Sequence, residues 1–116
     1  MSYFITGTNL LTHYVTTAGA SPVDVTPDTQ NRAMVIASIE VTEVGGGTGN
    51  LTIAIYDPVT PATYFKRNIQ AMTANQTVIY NEPFWLPNGW KLRVTLSAGS
   101  ASVLVNYFNP NATGQR

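Results

Sequence analysis

Few residues in this chain could do chemistry, and their spacing limits what each can do. The single histidine, His13, stands among Thr and Tyr in a β-prone stretch. A metal site needs several converging ligands, and a nucleophilic triad needs a nucleophile and an orienting acid beside the base. No serine stands in a nucleophile-elbow context, so His13 reads as a structural or exposed strand residue. The six carboxylates are Asp24, Asp28, Glu40, Glu43, Asp57 and Glu82. Glycosidases need a pair flanking a sugar, but Glu40 and Glu43 are three apart in a strand and point to opposite faces. Asp24 and Asp28 share a loop and could join carbonyl oxygens around calcium, yet they lack the dense acidic alternation of a calcium loop. Asp57 precedes Pro58 and suits the start of a turn. These patterns predict no catalytic residues, no metal and no cofactor.

Two groups of residues could bind rather than react. Trp85 and Trp90, with Tyr80 and Phe84, could form a sugar-stacking platform. The same run, Phe84-Trp85-Leu86-Pro87, also reads as a plug sealing one end of a core, the commoner use of large aromatics. Lys66-Arg67, with Lys91 and Arg93 on an outward strand face, form the one basic grouping, which could meet an acidic partner.

Composition narrows the classes further. At 116 residues there is room for one domain, which buries roughly 65% of its extended surface on folding. The absence of cysteine removes disulfides, thiolate zinc sites and thiol nucleophiles together. Six basic and six acidic residues give a net charge of +0, against the basic excess that phosphate binding requires. No apolar run approaches a membrane span. The N-terminus lacks the pattern of a secretory signal, so the chain reads as folded in a cytoplasm. Only 10% of residues are charged, well below the usual ~25%, which suits a protein held in an assembly.

Period-two patterning supplies the elements that would position these groups. Strands are expected at Leu10–Thr17, around Val23–Val25 at an edge, at Ala33–Val44 (the longest), Leu51–Asp57, Thr63–Ile69, Thr77–Tyr80, Lys91–Ser97 and Ser102–Phe108. Gln70–Asn75 fits a loop or one helical turn. In Ala33–Val44, Val35, Ala37, Ile39 and Val41 share one face, with Ser38, Glu40 and Thr42 opposite. Gly45–Asn50 reads as a flexible hairpin tip, because no helix or Lys-Ser/Thr ending follows to make it a phosphate cradle. Leu92, Val94 and Leu96 face inward on one strand, as do Val103, Val105 and Tyr107 on another. The stretch from Phe84 to Phe108 reads as an aromatic turn followed by a closing β-hairpin. The pattern is an all-β, antiparallel two-sheet β-sandwich of jelly-roll or Greek-key type. The organisation is an N-terminal arm (1–9), the sandwich (10–108) and a polar tail (109–116).

Some apolar residues fall outside that core. Tyr3, Phe4 and Ile5 lie in the arm, where termini are usually polar; the arm either adds an edge strand or docks on another subunit. Leu104 and Phe108 fall on the outward face of the last strand. These five residues, with the Gly45–Asn50 loop, form the candidate assembly surface.

The final third resembles a pattern of tailed-bacteriophage virion proteins. A turn carrying Pro83, Leu86, Pro87 and Gly89 precedes an alternating strand (Lys91 to Ser97). A small-residue turn (Ala98 to Ser100) and a last strand (Ser102 to Asn106) follow. The short length, absent cysteine, Thr/Asn/Gly-rich loops and aromatic arm are similar to capsid decoration (cement) proteins. That resemblance implies a non-enzymatic role: a homo-oligomer, with a trimer favoured, that binds a major capsid protein or another virion protein. It would strengthen the phage head within a virion assembled in the host cytoplasm. A tail, baseplate or fibre component is the nearest alternative, and a carbohydrate-binding β-sandwich using Trp85 and Trp90 is a third.

Overall fold

Alternating apolar side chains build nine strands in the computed structural model, which describes residues 10–18, 22–27 and 33–108. They are β1 (Leu10–Ala18), β2 (Val23–Asp24), β3 (Met34–Glu43), β4 (Gly49–Asp57), β5 (Ala62–Met72), β6 (Thr77–Tyr80), β7 (Phe84–Leu86), β8 (Lys91–Leu96) and β9 (Ser100–Phe108). The arm and the tail, with Tyr3, Phe4 and Ile5, lie outside the described residues.

The pairing is nested. β4 and β5 form a hairpin, and moving outward from its turn β3 pairs with β6 and β7, β2 with β8, and β1 with β9, all antiparallel. This long ribbon is rolled so that β9 also pairs with β3, and β8 with β4. Sheet A therefore runs β1-β9-β3-β6, with β7 beside β3, and sheet B runs β2-β8-β4-β5. A ribbon of nested antiparallel pairs rolled into two facing sheets is the jelly roll. The expected two-sheet sandwich is therefore what the chain forms.

Between the sheets lie Met34, Ile36, Ile39 and Val41 of β3, Leu51, Ile53 and Ile55 of β4, Leu86, the β8 set Leu92, Val94 and Leu96, and Val103 and Val105 of β9. Each fully buried aliphatic side chain contributes about 1.5–3 kcal/mol relative to exposure. The inward sets expected for β4, β8 and β9 are the observed ones, with Tyr107 half-buried against the core.

Four details differ from the sequence reading. First, β8 and β9 lie in different sheets, so Ser97–Gly99 is an arch between sheets and not a hairpin turn. The β3–β4 connection is likewise an arch. Second, the β3–β9 register shifts between Ile36 and Ser38. This bulge inserts Ala37 and flips the alternation, so Met34 and Ile36 face the core while Val35 faces out. Third, β5 continues through Gln70 to Met72 and is the longest strand, 11 residues against 10 in β3. Fourth, Phe84–Leu86 is a strand, not a turn.

Candidate assembly interface

The outer face of sheet A gathers the residues that face away from the core, and the register places them in rows. Tyr14 stands beside Leu104, Leu104 beside Glu40, and Glu40 beside Ile79. Phe108 stands beside Val35, and Val35 beside Trp85. Between these rows a polar ladder crosses three strands: Thr12 Oγ1 donates to Asn106 Oδ1 at 2.9 Å, and Asn106 Nδ2 donates to Ser38 Oγ at 2.9 Å. Beyond the first row the Thr42 and Thr77 hydroxyls share a hydrogen bond of 2.8 Å. The face is thus striped, apolar rows alternating with satisfied polar ones. Tyr14 is 61% exposed, Ile79 55% and Trp85 52%. Glu40 is the single acidic or basic side chain in these rows.

Sheet A therefore places Leu104 and Phe108 on one outward surface, in separate rows. It adds Tyr14, Val35, Ile79 and Trp85, which sequence reasoning missed. The β7 alternation explains Trp85: Phe84 packs against the core, Leu86 is fully buried, and Trp85 between them points out. The plug reading holds for Phe84 and Leu86 and fails for Trp85. Trp90 packs against the core and stacks on Tyr64, ring centroids 5.6 Å apart and 10° from parallel. Trp85 on the outer face of sheet A and Trp90 beside Tyr64 of β5 do not make one sugar platform.

The outer face of sheet B has another character. The Arg93 guanidinium lies 4.0 Å from the Tyr56 ring centroid, and Lys91 Nζ lies 4.0 Å from Asp24 Oδ2. Asp24 also accepts hydrogen bonds from the Thr26 amide and hydroxyl. Asp28 lies outside the described residues. The basic group of the sequence is split. Lys66 and Arg67 fall where the β4–β5 register shifts and reach across to sheet A. Lys66 lies over Phe84 at 4.6 Å and Arg67 over Tyr80 at 5.6 Å. They close the seam between β5 and the β6–β7 edge. Burial, together with the charge of Glu82, pushes the Tyr80 phenol above its ordinary value of 10.0.

In the Gly45–Asn50 segment the amides of the first three glycines point at a carboxylate, although Gly45 and Gly46 themselves stay exposed. Glu43, fully buried at the end of β3, accepts four backbone N–H donors: Gly45 at 2.8 Å, Gly46 at 3.0 Å, Gly47 at 3.2 Å and Asn75 at 3.0 Å. These bonds, the one from Asn75 foremost, outweigh burial and hold its carboxyl below the ordinary 4.5. The glycine run is a cradle for an internal carboxylate and not a free tip. Asp57 caps the β4–β5 turn as expected, accepting from the Val59 amide at 3.0 Å and the Thr60 hydroxyl at 2.5 Å. The Thr60 bond leads in holding its carboxyl below 3.8. His13 is half-buried on the core side of β1, opposite Val105. Among the described residues no three His, Asp or Glu side chains converge as metal ligands, and no helix is long and apolar enough to cross a membrane.

No protein-family profile matches the chain, and no curated protein matches it. Among solved structures the chain is similar to one from infectious bursal disease virus, Gx strain, with a TM-score of 0.47 and 14% identity. The match covers 92% of this chain but 34% of that one, so this chain spans only part of that protein's length.

Proposed function

We propose that this chain is a non-enzymatic structural protein of a virus particle, acting through subunit contacts made by the outer face of sheet A. The observation that carries the reading is the striped face itself, where Tyr14, Ile79 and Trp85 are each more than half exposed. Apolar rows separated by satisfied polar ladders suit a surface that is covered in an assembly and wetted when free. Glu40, the single charge there, fits a partner that presents a cation. The strand order supports the reading at the level of fold, since jelly rolls recur in capsid and lectin domains.

In its finer form the reading is a decoration (cement) protein of a phage head, bound to the major capsid protein as a homotrimer. The resemblance of the final third and the low charge support that form. Mass spectrometry of gradient-purified particles tests it: the chain is expected in stoichiometric copies, and its absence from particles overturns the reading. Particles with empty tails or none separate a head protein from a tail, baseplate or fibre component. Deleting residues 1–9 tests the arm, and unchanged particle binding and oligomeric mass would remove it from the interface. A carbohydrate-binding reading draws on one observation, the exposed indole of Trp85; quenching of its fluorescence by a sugar would favour it.

A further inference from the structure

A two-sheet sandwich with open sides has four edges, and an open edge offers unpaired N–H and C=O groups to any passing strand. Three of the four are visibly blunted here. β2 is two residues long and lies between Pro22 and Pro27. β5 is bulged at two places against β4 and carries Lys66 and Arg67 there. The opposite edge of sheet A is broken into β6 and β7 by Asn81-Glu82-Pro83.

The fourth edge, β1, has none of these devices. Its sequence, LLTHYVTTA, contains no Pro, Lys, Arg, Asp or Glu. Its register with β9 runs unbroken from Leu10↔Phe108 to Ala18↔Ser100. No described strand pairs with its far side. In an antiparallel pair alternate residues direct their N–H and C=O groups to the same neighbour, so half of the β1 backbone groups address β9 and half face outward.

We propose that this edge is an interface with a second copy of the chain, β1 pairing antiparallel with β1 of its partner about a two-fold axis. Sheet A then continues across both subunits. Such an isologous contact brings the same strand against itself, and like charges directly opposite would oppose it. β1 supplies none, which is the self-complementarity this occupant needs. The pairing stands independently of the virion reading, and combined with a three-fold contact it yields a hexamer.

Light scattering with amide hydrogen exchange tests it on the full chain. The expected result is a dimer or hexamer in which both alternating sets of β1 amides are protected, the outward set losing protection on dilution. The double variant Thr12→Lys/Thr16→Lys, at two exposed positions of β1, is expected to raise the dissociation constant at least about tenfold. Its circular dichroism and the protection of the amides facing β9 should remain, and Thr16→Gln, which leaves the Thr12–Asn106 bond in place, should associate as the parent does. A monomer or a simple trimer at high concentration overturns the edge pairing while leaving the virion reading intact. So does a dimer that ignores the lysines. Protection that persists in a monomer and vanishes on removal of residues 1–9 also overturns it, by assigning the edge to the chain's own arm.

Discussion

The two ends of the sandwich are closed by opposite means. β3 begins at Met34, beside Leu86, and ends at Glu43. At the Met34 end closure is apolar: Leu86 and Met34 are buried, Phe84 meets the Tyr80 ring edge-on at 6.2 Å, and Trp90 stacks on Tyr64. At the Glu43 end three arches cross between the sheets, at residues 44–48, 73–76 and 97–99. One carboxylate binds amides from the first two and lies against Gly99 of the third. An apolar end tolerates reshaping, because dispersion and area are non-directional. A carboxylate that satisfies several donors at once has no substitute of the same geometry.

Truncation at each end exposes that difference. Glu43→Ala leaves four part-buried backbone N–H groups without their acceptor and opens a void where the carboxylate joined two arches, and donors left unmade are costly wherever water cannot reach them. Its melting temperature should fall by more than about 15 °C, or the chain should fail to fold. Leu86→Ala should cost about 2–5 kcal/mol and be partly restored by Leu86→Met, whereas Glu43→Gln should recover little, since an amide nitrogen cannot accept. Denaturant melts of the four variants check this, and equal rescue at both ends would break the contrast.

Gly99→Ala sharpens it without replacing the carboxylate. Gly99 has φ +84°, and a Cβ there would sit 2.7 Å from Glu43 Oε2. The oxygen cannot swing away cheaply because it holds amides. A loss of about 1–3 kcal/mol is expected, read by the same melts. In Glu43→Ala the steric part of that loss should disappear, leaving the φ penalty alone.

Acid should act on Glu43 at one end of the sandwich and on the Asp57 turn cap at the other, and leave the apolar packing of Met34 and Leu86 untouched. The Glu43 and Asp57 carboxyls are both held below their ordinary values of 4.5 and 3.8. A depressed carboxyl contributes stability above its unfolded value and loses it as pH falls through the folded one. Stability should therefore be level from neutral pH down to the ordinary carboxylate range, and decline below it. Glu43→Gln should flatten that decline. An unchanged acid slope in this variant would remove Glu43 as its source.

Much of this was legible in the chain. Alternation in Leu51–Asp57, Lys91–Leu96 and Ser102–Phe108 gave three inward faces and the sandwich. The turn at Ser97–Gly99 misled, because small residues suit a hairpin and an arch alike, and only non-local pairing decides which sheet receives β9. The β3 bulge was hidden for a related reason: Met34-Val35-Ile36-Ala37 is apolar throughout, so no polar residue marks the flip. Glu43 did leave a signal. An acid in an inward position, followed by three glycines whose amides are unshielded, is a carboxylate with donors beside it.

The smallest expected effect on stability separates the two tryptophans, which the sequence places five residues apart and the structure puts to different uses. Trp90 is half-buried, packed on the core and stacked on Tyr64. Trp90→Ala forfeits about 0.5–1.5 kcal/mol of ring stacking beyond the area it uncovers. Trp85 is 52% exposed on the outer face of sheet A and lies outside the core cluster that takes in Phe84 and Leu86. Trp85→Ala should leave unfolding within about 0.5 kcal/mol of the parent. If the outer face of sheet A is the assembly surface, the same substitution should weaken association, because exposed aromatics at an interface carry a large share of its energy. A Trp85 variant as unstable as the Trp90 variant would return Trp85 to the plug. One with normal stability and normal assembly would leave the row Phe108–Val35–Trp85 without a role in contacts and shift the interface to the row Tyr14–Leu104–Ile79.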